Sequence, residues 1–340
     1  MSDGSLFIDW ITASQHHPNG GLPVITGGVT VHYSAQGIPV FERNQSTRFT
    51  GSHDTSVRIG CDGFRVSLAG NPGRLSRPDN VFNHGLEGTI ASCNRVLVEL
   101  GLPPFTPCGT LRPAGAARDV SSPARGAVIS RLDVTRNYST GSESSARAFI
   151  RWLAGRSISR MKRGQAGDES VWWANTRHML KAYIKHLEMV KHGTSDKDRI
   201  VQWLKEKGVV RVELELKKRL LSELGLNDLA NLSDQKLVDI YEQQIEPFKR
   251  ADRSCDEDII EHIPQRSKAI AAAWLAGTDV RDLVGKSQLY VHANRLREYG
   301  LDILTPRFSG GVERFPVKVR FIELQPLAVP DWYSLEVKAA

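Results

Sequence analysis

The sequence predicts an α+β protein. A mixed or antiparallel sheet region of two strand-rich halves with packed helices should precede a C-terminal helical region. Three observations lead there. Short β-type runs, broken by Gly, Asn, Asp and Pro, recur as far as Lys217. Three longer runs, at 129–135, 179–188 and 209–217, alternate apolar and polar side chains with a period of two. Beyond Arg250 the pattern becomes helix, turn, short helix, turn, helix.

In chain order, 6–12, 29–33, 57–61 and 64–68 read as strands. The spacing of Ile90, Val96, Leu97 and Leu100 predicts a helix over 87–100, stopped by Gly101. A Pro-, Gly- and Ser-rich stretch, 102–125, reads as a linker or surface excursion and closes an N-terminal half at 1–124. The second half, 125–248, opens with a strand in which Leu132 and Val134 alternate with Arg131 and Asp133. An amphipathic helix follows, with Ala146, Phe149, Ile150 and Leu153 inward and Arg147, Arg151, Arg156 and Arg160 outward. In the strand 179–188, Leu180, Ala182 and Ile184 alternate with Lys181, Tyr183 and Lys185. A short helix near 196–207 leads to the strand 209–217. There Val210, Val212, Leu214 and Leu216 face one way, and Arg211, Glu213, Glu215 and Lys217 the other. Helices occupy 218 to about 249. No internal repeat marks the two halves as a duplication.

The third region, 249–340, has helix candidates at 265–276 and 279–283, then one capped by Ser287 and running to Tyr299 before Gly300. Between 265 and 307 seven Lys/Arg face four Asp/Glu, a net of +3. This layout fits a helix-turn-helix module whose last helix offers Lys286, Tyr290, Asn294, Arg295 and Arg297 to DNA; a plain three-helix packing element fits the same pattern. A strand-like run at 317–324 and Pro330-Asp331-Trp332 either fold back on the sheet region or form a wing.

Composition sets wide bounds. With 340 residues, 40% hydrophobic and 24% charged, the chain reads as an ordinary soluble protein of two or three domains. A net charge of +7 and a pI near 9.3 agree with a polyanionic partner. The four cysteines (61, 93, 108 and 255) show no CxxC spacing, which argues against a zinc ribbon or disulfide framework and for reduced thiols. No signal pattern or bilayer-length apolar run is present, so a cytoplasmic location without membrane partners is expected.

If the three alternating strands share a sheet, its polar face gathers carboxylates, cations and one tyrosine. That set suits metal-assisted attack of tyrosine on a phosphodiester. Carboxylates are hard ligands for Mg²⁺ or Mn²⁺, which neutralise phosphate charge and polarise the scissile bond. Tyrosine, with an unperturbed pKa near ~10, needs lysines or a metal to favour its phenolate. A phosphotyrosyl ester conserves the energy of the cut bond, so the strand can be resealed. The same alternation also describes an amphipathic sheet with a merely solvated polar face.

The ordered triplet RLDVT, KAYIKHLE and VRVELELKK resembles the filamentous-phage replication initiator family, the gene II/X type of rolling-circle nickase. Other stretches resemble it too: Phe7 to Thr12, Gly51-Ser52-His53-Asp54, Gly70-Asn71-Pro72, Asp79-Asn80-Val81-Phe82, Trp274-x-x-Gly277-x-Asp279-Val280-Arg281, Leu289-Tyr290-x-His292, Tyr299 to Ile303 and Pro330-Asp331-Trp332. The resemblance implies a strand-specific DNA nickase that cuts a double-stranded origin, stays joined to the 5′-phosphate and later closes the displaced single strand. By matching position it implies Tyr183 as nucleophile, Asp133 and Glu213 as leading metal ligands with Glu188 next, and Lys185 and Arg211 steadying phosphate charge. Arg147, Arg151 and Arg156 would line a path for single-stranded DNA.

The sequence departs from the pattern of the family it resembles where that family often has Tyr-aromatic-Gly: here stand Trp172-Trp173-Ala174, and Tyr138 is the fallback nucleophile. The histidine pair of the usual rolling-circle nucleases is also missing. His16 and His17 are adjacent, so a strand would point them opposite ways, and His32 has no partner at that spacing. A metal site here leans on carboxylates, and His178 and His186 read as structural. Implied partners are origin duplex, single-stranded DNA and a host polymerase and helicase, in a host bacterial cytoplasm; oligomeric state is left open. The competing reading is a non-catalytic, sequence-specific DNA-binding regulator. A tyrosine recombinase would need a helical, Arg/His-rich catalytic domain, against the β-rich centre.

Overall fold

The computed structural model describes residues 6–107, 126–158, 160–253, 260, 263–297, 301–305 and 324–334. In chain order the first half contains β1 (Phe7–His16), β2 (Val29–Tyr33), β3 (Pro39–Asn44), β4 (Thr47–Thr50), β5 (Ser56–Cys61), β6 (Arg65–Gly70) and α1 (Leu86–Glu99). Then come β7 (Val128–Ser139), α2 (Glu143–Ala154), β8 (Lys162–Ala166), β9 (Ser170–Ala174) and β10 (His178–Ile184). They are followed by α3 (Lys185–Lys191), α4 (Arg199–Glu206), β11 (Val209–Lys217), α5 (Lys218–Glu223) and α6 (Asp234–Arg253). The C-terminal part holds α7 (Gln265–Leu275), α8 (Lys286–Arg297) and the short β12 (Gln325–Pro326). The fold is α+β, as the sequence predicts.

One antiparallel sheet runs through both strand-rich halves in the order β4-β5-β6-β1-β7-β11-β10-β9-β8. The β1–β7 pairing is the seam between them, and β12 pairs with β7 beyond the end of β1. Among the described strands only β2 and β3 stand apart, as an exposed two-stranded ribbon. Strand alternation sorts the side chains. One face buries Ile11, Leu132, Val134, Leu180, Leu214 and Leu216 against α1, α2, α5 and α6 in the main core. The other face meets α3, α4 and the chain end through a smaller cluster containing Phe7, Phe82, Met189, Leu204 and Leu327. At roughly 25 cal/mol per Å² of apolar surface, the first face supplies most of the driving force.

The C-terminal helices have their own core of Ile263, Trp274, Val280, Leu289, Leu296 and Leu301. Helix, 3₁₀ turn (Val280–Asp282) and helix follow the predicted layout, with one change: α8 starts at Lys286, and Ser287 lies inside its first turn rather than capping it. This unit docks on the end of α2, where Leu301 bridges Arg156 and Asp302 bonds to Gly155 and Arg163. The run 317–323 and residues 298–300 lie outside the described residues. The final segment folds back on the sheet rather than forming a wing: Leu327 N–H donates to the Asn137 carbonyl at 2.9 Å, and Trp332 meets Trp203 edge-on.

Two predicted boundaries move. α2 ends at Ala154, so Arg156 and Arg160 lie beyond the helix whose outer face the spacing predicts them to extend. β10 ends at Ile184, so Lys185 and Glu188 belong to a helix, not to the strand's polar face. Alternation over four or five residues cannot separate the two cases, and Lys185–Glu188 is also a good i,i+3 helix pair. The strands β8 and β9 were not evident in the sequence. Gly164 in β8 gives the reason for its residue type: a Cβ there would strike the Trp172 indole lying across it.

Candidate active site

The polar face of the sheet is assembled by register. Across β10, β11 and β7 the paired residues are Lys181–Glu213–Thr135 and Tyr183–Arg211–Asn137, with Glu215 opposite Asp133. Direct partners share a face, so the alternation read from sequence brings Asp133, Lys181, Tyr183, Arg211, Glu213 and Glu215 together. Tyr183 is buried, and its hydroxyl donates to Glu213 Oε1 at 2.6 Å. Lys181 Nζ lies 4.3 Å from the Tyr183 ring centroid, a cation–π contact rather than a contact to the hydroxyl.

Lys185 and Glu188 reach the same centre from the first turn of α3. Lys185 is fully buried, its ammonium donating to Glu188 Oε2 at 2.6 Å and Asn80 Oδ1 at 2.9 Å. Arg211, also fully buried, donates to Asn137 Oδ1, Asp9 Oδ2 and the carbonyls of Asn80 and Val81 at 2.6–3.3 Å. Asp9 stands at a bulge of β1 and accepts from Asn71 at 2.7 Å and from Asn80 at 3.0 and 3.1 Å. Asp9, Asn71, Asn80 and Asn137 were not singled out as site residues from the sequence. Their signal was faint: Asp9 has polar-face parity, but the asparagines come from loops and a strand end whose approach only the fold reveals.

Arg131 clamps Asp133 through two hydrogen bonds, at 2.8 and 2.7 Å, and reaches Glu215 at 3.3 Å. Burial nevertheless pushes the Asp133 carboxyl up to about 7, with Glu215 and Glu213 adding and Arg131 opposing. Burial, then the Asp9 charge, also raises Glu213, against Arg211, Lys181 and the Tyr183 hydroxyl. Tyr183 is held well above the usual phenol range by burial and then by Glu213. The expected phenolate is therefore not the resting form: the lysines are placed on the ring and on Glu188, while a carboxylate faces the hydroxyl. Lys185 is drawn down to about 8, chiefly by burial and secondarily by Arg211.

Among the described residues no three His, Cys, Asp or Glu side chains gather as a cation site. Glu188 is paired with Lys185, Asp133 with Arg131 and Glu213 with Tyr183; Asp133 and Glu213 lie diagonally on one face, and Glu213 raises the proton affinity of Asp133. Tyr138, the fallback nucleophile, alternates onto the opposite face and joins the main core. His186 is buried, with Glu143 3.7 Å away.

Arg147 and Arg151 of α2, and Arg156 just past its end, are not brought to this centre. Their helix packs on the apolar face, so the sheet separates them from Tyr183. Arg147 pairs with Glu143 and Asp168 at 2.9 Å, Arg151 lies 3.6 Å from Asp168, and Arg156 stacks on Trp152 at 4.5 Å. On α8, Lys286, Tyr290 and Asn294 are exposed and Arg295 is partly so; the Arg297 side chain lies outside the described residues. Cys61 and Cys93 are free and buried. No described helix is long and apolar enough to cross a membrane.

Comparison with known proteins assigns the chain. The family model for the N-terminal region of the phage gene II replication-associated protein matches residues 8–235, and that for its C-terminal region matches 256–338. The replication-associated protein of Escherichia phage If1 is 28% identical over 318 residues, covering 82% of this chain and 97% of that protein. That of Enterobacteria phage I2-2 is 23% identical over 347 residues, covering 96% of each. A solved structure, the rolling circle replication initiator protein from Geobacillus stearothermophilus, aligns with 70% of this chain and 84% of that one at TM-score 0.28 and 10% identity, too distant a likeness to bear on the site. With its two matched regions in the same order and spanning nearly its whole length, the chain belongs to the gene II family of phage replication-associated proteins.

Proposed function

We propose that this protein initiates rolling-circle replication of a filamentous-phage genome by nicking one strand of the origin through a phosphotyrosyl intermediate, and later rejoins the strand. The observation that carries the reading is the 2.6 Å hydrogen bond from the buried Tyr183 hydroxyl to Glu213. A tyrosine whose proton already points at a carboxylate of raised basicity has its general base in place. In the forward step the Tyr183 oxygen bonds to the scissile phosphorus, its proton passes to Glu213, and the bond to the 3′-oxygen breaks. Lys185 supplies the proton that the departing 3′-oxygen needs, and Arg211 steadies the equatorial phosphate oxygens. Rejoining reverses each transfer.

Asp133 and Glu213, hard carboxylate donors of raised proton affinity on one face, are the residues that would hold Mg²⁺ or Mn²⁺. Such an ion would polarise the phosphodiester. For the single strand we assign the site face in place of α2. Arg48, Arg58, Ala69, Thr12, Arg131 and Lys217 form one cross-strand row from β4 to β11. Trp10 lies under Arg58 and Arg131, with centroids 6.0 and 5.1 Å away. Cations interleaved with an aromatic platform suit a sugar-phosphate backbone and stacked bases. Residues 1–124 and 125–248 then form the nicking region, and 249–340 select the origin through α8.

The test is supercoiled plasmid carrying the cognate origin, incubated with Mg²⁺ and resolved under denaturing conditions. Wild type should yield an open circle covalently joined to protein, and Tyr183→Phe should yield neither. Tight origin binding by wild type without any cleavage would support the regulator instead.

A further inference from the structure

Asn80 bonds to three members of the site at once. Its Nδ2 donates to Asp9, its Oδ1 accepts from Lys185, and its carbonyl accepts from Arg211. Yet it lies in a loop, between the 3₁₀ turn Pro72–Arg74 and α1, outside any sheet ladder. A group that must hold a lysine, a carboxylate and a guanidinium in register needs its backbone fixed from elsewhere.

The chain's returning end supplies that fixture. Tyr333 Oη donates to Asp79 Oδ1 at 2.5 Å, next to Asn80, and accepts from Arg77 Nη2 at 2.8 Å. Its ring meets Phe82 edge-on at 5.3 Å. Arg77 in turn donates to the carbonyls of Gly73 and Phe82, and Asp79 accepts from the Val81 N–H, so the hydroxyl ties both ends of the 73–82 loop. The segment that presents Tyr333 is itself anchored. β12 pairs with Ser139 and Tyr138, Leu327 is buried, and Trp332 sits between Trp203 and the Arg199 guanidinium. A ring needed only to fill space would be served by phenylalanine; here the hydroxyl has two charged partners.

We propose that Tyr333 is a positioning residue of the nicking site, acting through Asp79 to set Asn80 against Asp9, Lys185 and Arg211. The proposal rests on the nicking reading above. It also means that removing the C-terminal region to probe origin recognition would unseat the active-site loop at the same time.

The experiment is a double-mutant cycle in the full chain. Tyr333→Phe, Asp79→Ala, Asn80→Ala and the pairs with Tyr333→Phe are compared in single-turnover nicking of an origin oligonucleotide at saturating protein. Binding of the same DNA and thermal unfolding are followed in parallel. Tyr333→Phe should slow the step about 10- to 100-fold, the scale of an ångström-level misplacement, with binding within about twofold and the protein folded at assay temperature. In the Asn80→Ala background the same change should cost much less. Nicking by Tyr333→Phe at the wild-type rate, or losses that multiply independently, would overturn the proposal. A wild type that never cleaves would instead remove the nicking reading beneath it.

Discussion

The two faces of β7, β11 and β10 come from the same residues taken alternately, yet they are buried on different terms. On one, Leu132, Val134, Leu180, Ala182, Leu214 and Leu216 are at most 1% exposed and need nothing from their neighbours but contact. On the other, Arg211 and Tyr183 are buried as well and Glu213 is half-buried, and each must be matched by a named partner. The aliphatic face stabilises in proportion to area. The polar face holds its carboxylates at a cost in the folded state, visible in the raised proton affinity of Asp133 and Glu213, for which burial is the first cause and carboxylate repulsion a secondary one. That cost is what a cation or a developing positive partner would relieve, so one face carries the fold and the other is poised for chemistry.

Substitutions on the two faces should therefore separate. The largest expected effect is on the polar face: Tyr183→Phe should lower adduct formation at least ~10³-fold, as loss of a covalent nucleophile does. Its melting temperature should move by only a few degrees, because the ring still fills its space. On the apolar face Leu214→Ala should cost about 2–5 kcal/mol of unfolding free energy by denaturant titration, while the folded fraction nicks normally. A large catalytic loss there at full folding would erase the distinction.

Asp133 gives a pH signature between these extremes. Its carboxyl sits at about 7 in the folded chain, against 3.8 for an ordinary aspartate. The folded state therefore binds the extra proton, and stability present below the unfolded value is lost as pH rises through 7. In metal-free buffer, the Asp133 contribution to unfolding free energy should fall by at most a few kcal/mol from about pH 4 to 8, and Asp133→Asn should remove that part of the slope. An unchanged slope would contradict the assigned burial of charge. The smallest effect concerns DNA. Arg58→Ala should weaken single-strand binding and reduce the salt slope by about one contact. Arg147→Ala, whose guanidinium is spent on Glu143 and Asp168, should change neither.

The strands and the sorting of their faces were legible because a period of two is a local property. Asp133, Tyr183, Arg211 and Glu213 converge as their alternation implied. Lys185 and Glu188 reach the centre's hydrogen-bond network from a helix rather than from the strand where alternation places them, since the helix begins within the same short run. Asp9, Asn71, Asn80 and Asn137 were illegible as a set because loops and a bulge join residues up to 202 positions apart, as in the Arg211–Asp9 contact. The α2 arginines show the converse. Their outward helical face was right, but which side of the sheet it covers, and the Asp168 that neutralises it, are facts of topology.

The most direct test of the account is to trap the wild-type protein on a cleaved origin strand, digest both polymers, and map the nucleotide-bearing peptide by mass spectrometry. The account predicts a single modified residue, Tyr183. Modification at Tyr138, across the sheet from Glu213, or at any other tyrosine would contradict it.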